Sequence, residues 1–526
     1  MPRSAVCKIT GASFEIEDTE LETLSHIGEC NPILGGVSLP IPNVHPSEAL
    51  RQMYVFGALR WLFKDKSALS GAPLLTRYNP VDGYKVCTQD EFYDGVDNRA
   101  VGQEYDFSRP FFEQWNDLLR SVILPPLSKT NCEDSEYVNG AQNVKSCYLC
   151  FAVWDCRDCM YCLSISRCND CLDLVFSREC QFCYSSVSLI RCYEVHNSKD
   201  CKDCTECFGC YDCQSCTKCY GCVGLFHQEH CIFNEKVSKE KYEAFISEKH
   251  LGNFTSRLCA ESECGVFWSS TNHTVNTLIN CTDCSGAYLD RCENCVQCWE
   301  ASGCKDCSNL IAGIDSDHCS RGFARRSEYT FFTHGLDCQN SAYCYTLFGG
   351  SNILYSAYMY GGCMDCFGCI ALNKQQYCIL NKQYTKSEYE DLAPRVIAHM
   401  KSTGEWGEWF PVKFAPHLYH ESSIHEFMAD IPESVARARG YRVGEEVENV
   451  YPSKFLQGKL IPEQVDSTVV DLLITTPIRC AITGKHFNIQ KREIEFCMRH
   501  KLPVPRVHWR ERMRQKFTQR SQVPAV

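Results

Sequence analysis

Between residues 147 and 231 the cysteines share one phase: Cys147, Cys150, Cys156, Cys159, Cys162, Cys168, Cys171, Cys180, Cys183, Cys192, then Cys201, Cys204, Cys207, Cys210, Cys213, Cys216, Cys219, Cys222 and Cys231. Each is separated from the next by a multiple of three residues. Neither a 3.6-residue helix nor a two-residue strand alternation gives that spacing. A zinc finger needs only one or two CxxC pairs, so the run is not a set of fingers. Its densest part, Cys201 to Cys222, is an unbroken CxxC series that could present thiolates to a soft metal. A second set of ligand types sits at the two ends. CKITGASFEI (7–16) matches CAITGKHFNI (480–489), and PNVHPSEALRQ (42–52) matches PRVHWRERMRQ (505–515). These segments share Cys7, His45 and Glu48 at one end and Cys480, His508 and Glu511 at the other. Cys, His and Glu can supply three zinc ligands and leave a fourth place for Thr10, Thr483 or water. Zinc is therefore the first metal expected, with copper or an iron–sulfur centre as alternatives. Three ligands plus water would also permit metal-assisted hydrolysis.

A longer period must position the thiols. Cut every twelve residues, 147–230 aligns cysteine in column one (Cys147, Cys159, Cys171, Cys183) and column ten (Cys156, Cys168, Cys180, Cys192). A short fixed period of this kind predicts a solenoid with one coil per twelve residues. Neighbouring coils would stack like parallel strands, about 4.8 Å apart, and place cysteine ladders inside. A second block follows: each residue of 366–392 stands 147 positions after its counterpart in 219–245. The expected fold class is thus mainly β, with two cysteine-ladder solenoid blocks flanked by degenerate zinc-ribbon-like α+β ends. Helices are expected over 45–66, 106–119 and 236–250, the first entered through Pro46. The expected parts are 1–66 and 480–526 as ribbon-like modules, 67–130 as a ribbon-like and helical connector, 131–250 and 251–400 as the two blocks with closing helices, and 401–479 as a connector.

The bland reading of the ladders is packing, because cysteine is a small, readily buried residue. Val153, Ile165, Leu174, Ser177, Leu189, Val195 and Leu225 occupy the same phase. Positions that accept valine, leucine and serine select volume first, which favours packing over metal along the run.

Together, YDFSRPFFEQ (105–114), the twelve-residue blocks, CILNKQYTKSEYE (378–390), GEWGEWFPV (404–412) and the CxxTG ends carry a resemblance. The chain resembles cysteine-rich repeat proteins of small-celled candidate-phyla bacteria, with zinc-ribbon-like termini around a cysteine-ladder middle. That resemblance implies an architecture and brings no biochemical activity with it. The chain departs from a zinc ribbon where Thr10 and Thr483 replace the second cysteine of a CxxC pair. Ser67 and Ser70 likewise stand where a CxxC is expected.

The remaining features narrow the function classes. The chain carries 53 Lys and Arg against 65 Asp and Glu, a net charge of −12, which argues against bulk nucleic-acid binding. No stretch approaches about 18 consecutive apolar residues, so no membrane span is expected. The N-terminus has no apolar signal region, so a cytoplasmic location with reduced or metal-bound thiols is expected. No P-loop, GxGxxG after a strand, HExxH or GxSxG occurs. The expected function is a non-enzymatic structural or binding scaffold with a protein partner or self-assembly. The alternatives are a soft-metal or iron–sulfur storage or redox protein, and a hydrolase at a terminal Cys–His–Glu site.

Overall fold

A computed structural model of the chain describes residues 3–37, 39–165, 172, 175–177, 180, 183–187, 191–272, 286–287, 298–299, 319–321, 330–332, 342, 347–444 and 453–521. These form two compact units, each assembled from separated stretches: Met1–Leu127 with Val275–Gly444, and Ser128–Thr274 with Glu445–Val526.

In the unit that holds Ser128–Thr274, the three-residue phase has a backbone cause. From Asn197 to Phe233 every third residue has positive φ, with glycine at 209, 221 and 224 and non-glycine residues elsewhere. The residue that follows each of these points inward. Asp200, Asp203 and Asp212, for example, precede Cys201, Cys204 and Cys213, with φ of 54°, 53° and 49°. Asn and Asp tolerate the left-handed region better than other side chains, which accounts for their frequency in that column. The third residue of each triplet bridges to the residue twelve positions on, as in Lys199 with Tyr211 and Lys202 with Gln214. The Lys199 N–H donates to the Cys210 carbonyl at 2.8 Å, and the Asp212 N–H to the Lys199 carbonyl at 3.1 Å. Buried backbone groups are thereby satisfied turn by turn. The same three-residue phase, at Asn131, Gly140, Asn143 and Ala152, runs through regular strands. Lys129–Glu133, Val138–Lys145, Cys150–Trp154, Leu163–Ile165 and Val175–Ser177 make a five-stranded parallel sheet, also in a twelve-residue register.

Helices cover this unit. Phe254–Ser270 lies against Gly209 and Gly221, where a Cβ would fall 2.4 Å and 3.2 Å from the Cys264 sulfur. The Trp268 indole N–H donates to the Gly209 carbonyl at 2.8 Å. Helices Lys491–Arg499 and Trp509–Ser521 pack over Met160, Tyr161 and Leu172 through Phe496, Cys497 and Trp509. Glu493, buried in that contact, accepts from the Tyr161 hydroxyl at 2.6 Å and from Arg512 at 3.0 Å.

The other unit has an aromatic core around Phe56, Trp115, Tyr355 and Phe410. Helix Phe111–Ser121 supplies Trp115, and its first N–H groups, on Phe111 and Phe112, donate to the Glu405 carboxylate at 2.9 and 2.8 Å. Glu405 thus satisfies donors that a helix start leaves orphaned. Ile353, Met359, Cys363, Cys366, Cys369, Leu372 and Cys378 form a smaller core beside it. Two matching caps occur 147 residues apart, one in each unit. Asn234 donates its N–H to the Cys222 sulfur at 3.4 Å and Asn381 to the Cys369 sulfur at 3.5 Å. Their side-chain oxygens accept from Val223 and Ile370, each at 2.8 Å. Helices Lys239–Glu248 and Lys386–Ser402 follow them.

The expected fold class is overturned. Among the described residues the chain is an α+β mixture, 32% helical and 23% strand, with small mixed sheets and no solenoid. Among the described residues the largest sheet has five strands and there are twelve α-helices. Segments read as connectors contribute helix, Gln89–Gly95 and Phe111–Ser121 among them. Much of the proposed second block lies outside the described residues. The first expected helix is real but shorter, Pro46–Tyr54, and its tail becomes the strand Phe63–Lys66. The aromatic helix starts at Phe111 rather than Asp106, because Pro110 sets its entrance.

Candidate metal centre and thiol array

The inward triplet positions bury their sulfurs. Cys201, Cys204, Cys207, Cys210, Cys213, Cys216, Cys219 and Cys222 are all at most 2% exposed, and none is in a disulfide. Cys201 to Cys219 each have two carbonyl oxygens within reach of the S–H, and Cys222 has one, that of Tyr220 at 3.4 Å. The Cys204 sulfur lies 3.4 Å from the Lys202 carbonyl and 3.2 Å from that of Cys213. The Cys213 sulfur lies 3.5 Å from the carbonyls of both Tyr211 and Cys222. A buried S–H therefore finds an acceptor without metal.

The thiols also meet one another. Cys201 contacts Cys204 three residues on and Cys213 twelve residues on. The same pattern carries contact through to Cys222. Hydrogen bonds from Cys204 and Cys213 pull the Cys201 thiol down to about 6. Burial, with the neighbouring Cys207, Cys213 and Cys222 thiols, holds Cys210 well above its ordinary range. One thiolate in such a net raises the proton affinity of those beside it, so adjacent thiols do not ionise together.

Three other cysteines are drawn closer. The sulfurs of Cys180, Cys183 and Cys192 all lie within 4.8 Å of one another, and all three residues are buried. Among the described residues this is the one group of three or more Cys, His, Asp or Glu side chains that could hold a metal ion. In the 201–222 array the contacts link thiols three or twelve residues apart. The trio adds a close approach between residues nine apart, Cys183 and Cys192, and so closes a triangle.

The terminal sets are held differently. Cys7 and Cys480 each begin a tight knuckle in which the residue four on, Gly11 or Gly484, donates its N–H to the cysteine carbonyl at 2.8 and 3.0 Å. Both glycines have positive φ, 72° and 71°. Burial pushes the Cys7 and Cys480 thiols up. The backbone N–H groups of His45 and His508 and the hydroxyls of Thr10 and Thr483 outweigh it and leave both below their ordinary value. The histidines cap helices. His45 Nδ1 accepts from the Ser47 N–H at 3.2 Å, and His508 Nδ1 from the Arg510 N–H at 3.2 Å. Burial takes His508 down to about 3, so it is neutral. Glu48 pairs with Arg439 at 2.7 Å, and Glu511 with Arg514 at 2.9 Å. Neither Cys7, His45 and Glu48 nor Cys480, His508 and Glu511 bring three ligand atoms within 4.8 Å of one another.

A third knuckle explains how such a site persists without thiols. Ser67 takes the cysteine's place: Gly71 donates to its carbonyl at 2.9 Å. The Ser67 hydroxyl donates to Glu91 at 2.6 Å, and the Thr88 N–H reaches the same carboxylate oxygen at 2.8 Å. These donors, Ser67 first and then Ser70 and Thr88, bring the Glu91 carboxyl down to about 2. A carboxylate from helix Gln89–Gly95 fills the middle of this knuckle.

Sequence reasoning overlooked three features. The Cys180 trio lies in an irregular part of the run, and spacing alone does not report sulfur separations. Glu91 stands far from Ser67 in sequence; the capping box Thr88–Glu91 was its only local sign. Finally, the Cys30 sulfur lies 3.7 Å from His26 Nε2 on helix Asp18–Cys30, exposed and at i,i+4 spacing that a search for Cys–His pairs would have caught. Among the described residues no helix is long and apolar enough to cross a membrane. No protein-family model matches the chain, and no curated protein or solved structure matches it either.

Proposed function

We propose that the chain is a non-enzymatic scaffold whose buried thiols are structural. The observation that carries this reading is the pairing of array S–H groups with backbone carbonyls, as at Cys204 and Cys213. With its protons so placed, the array acts as a polar-lined core, and the outward residues are left for recognition. Lys202, Gln214 and Phe226 form one outward column, linked by parallel bridges, with Phe226 59% exposed. Such a column offers a stiff face to a protein partner or to another copy of the chain. Reduced thiols fit a cytoplasmic setting, and the resemblance to cysteine-rich candidate-phyla proteins fits a structural role.

A second reading, storage of zinc or copper by the array, draws on the thiol–thiol contacts. Elemental analysis of natively purified chain, with thiol titration before and after denaturation, separates the two. The scaffold reading expects at most one ion per chain, array thiols that react only on unfolding, and a chain that stays folded when chelator removes that ion. Several ions per chain, or unfolding on chelation, refutes it.

A further inference from the structure

Cys180, Cys183 and Cys192 present a triangle of buried sulfurs that no other cysteines among the described residues form. Cys180 and Cys192 are twelve residues apart, and Cys183 stands three residues after Cys180. Exposure is 1%, 0% and 4% respectively, so water has little access. An ion held about 2.3 Å from three coplanar sulfurs spaces them about 4.0 Å apart. The trio, within 4.8 Å, needs to close by less than about 1 Å to reach that spacing. Zinc ordinarily takes a fourth ligand, and among the described residues no fourth Cys, His, Asp or Glu joins the group.

Two cations contact the residues that follow Cys183. The Lys516 ammonium donates to the Ser185 carbonyl at 2.7 Å, two residues from Cys183. The Arg257 guanidinium lies 4.7 Å from the centre of the Tyr184 ring, next to Cys183, and shares its charge with Glu261 at 3.5 Å. Val195, fully buried, stands twelve residues after Cys183 and keeps that side apolar. Three thiolates around a monovalent ion carry a charge of two minus.

We infer that Cys180, Cys183 and Cys192 form a three-thiolate site for a single soft monovalent ion, Cu(I). Binding replaces three S–H bonds by three Cu–S bonds and releases three protons to solvent, with no change of oxidation state. Thiolate ligands select Cu(I) over hard cations. The site is compatible with the scaffold reading, since it uses one ion outside the 201–222 array.

The test is an anaerobic titration of the reduced full-length chain with Cu(I) against a chromophoric Cu(I) chelator, with proton release followed in weak buffer. The expected result is one retained ion and about three protons per chain. Cys183→Ala and Cys192→Ser should each weaken retention at least about 100-fold, the upper end of what loss of a supporting contact costs a metal site. Cys207→Ala, inside the array, should leave it unchanged. Because a core variant can misfold, the wild-type chain is also alkylated with and without one equivalent of Cu(I) and mapped by mass spectrometry. The ion should protect Cys180, Cys183 and Cys192 selectively. Failure to retain Cu(I), protection spread over Cys201 to Cys222, equal loss in Cys207→Ala, or tighter retention of Zn(II) than of Cu(I) at the trio would each overturn the assignment. Several ions bound in the array would refute the scaffold reading instead, so the two failures are distinguishable.

Discussion

Replacing Gly209 by alanine should undock helix Phe254–Ser270 from the thiol-lined turns. Gly209 has φ of +60°, and its added Cβ would lie 2.4 Å from the Cys264 sulfur and 2.9 Å from the Cys264 Cβ. Two costs add. Left-handed backbone costs a residue with a Cβ about 1–2 kcal/mol, and overpacking a filled contact costs about 1–3 kcal/mol more. Gly224 separates the two, because its φ is +65° but nothing lies within 4 Å of its added Cβ. Gly224→Ala should therefore show the backbone cost alone, and the difference of about 1–3 kcal/mol reports the helix contact. Cys264→Ala in the Gly209→Ala background removes the nearer clash and should recover part of the loss, a coupling that a double-mutant cycle measures. Hydrogen exchange of amides 254–270 is the appropriate readout, since a chain with two compact units need not unfold in one step. Protection should fall in Gly209→Ala and stay near wild type in Gly224→Ala. Equal effects of the two substitutions, or no recovery in the double mutant, would refute the view that a glycine gap seats this helix.

The remaining predictions concern titrating groups. Burial, then Arg510, Arg512 and Lys485, holds His508 near 3, against an ordinary value of 6.5. The unfolded chain therefore binds a proton that the folded chain refuses, so stability falls as pH drops from about 6.5 towards 3. By pH 5 the loss is about 2 kcal/mol. His508→Asn, which can still cap the helix, should lose about that much less than wild type when urea midpoints are compared at pH 7 and pH 5. Buried His196 and His417 are pushed in the same direction and set the background that both proteins share. Ser67→Ala removes the first of the donors that depress Glu91, so the Glu91 carboxyl should titrate above about 2 and nearer its ordinary 4.5, as carbon NMR would show. No movement would mean that Ser70 and Thr88 set that carboxylate without Ser67.

The fold was legible in the sequence where one rule governed many residues. The cysteine phase identified the inward positions: the described cysteines between Cys147 and Cys231 point where the spacing placed them, and all are buried. Its cause was misread, however. Asp200, Asp203 and Asp212 have the residue type of polar surface, yet they supply the left-handed backbone that brings the next residue inward. Twelve-residue spacing alone does not distinguish long strands from single bridges separated by such residues. GEWGEWFPV illustrates a second blind spot. Read as a connector, it supplies the buried Phe410 and the Glu405 that caps helix Phe111–Ser121, both through contacts remote in sequence. At the ends, Cys, His and Glu recur as spacing promised. The histidine's Nδ1 is nevertheless turned to a helix N-terminus and the glutamate to an arginine, orientations that residue identity does not encode.

The left-handed residue at every third place constrains how this chain can vary in length. Adding one amino acid after Asn197 would shift the frame of all later triplets, so that Cys201 and its successors would occupy the bridging or corner slots and lose their carbonyl acceptors. Adding three would move each downstream thiol by one side of a turn and keep it inside. Tolerated length changes in this segment should therefore come in threes, and only a change of twelve would restore every outward column to its former neighbours.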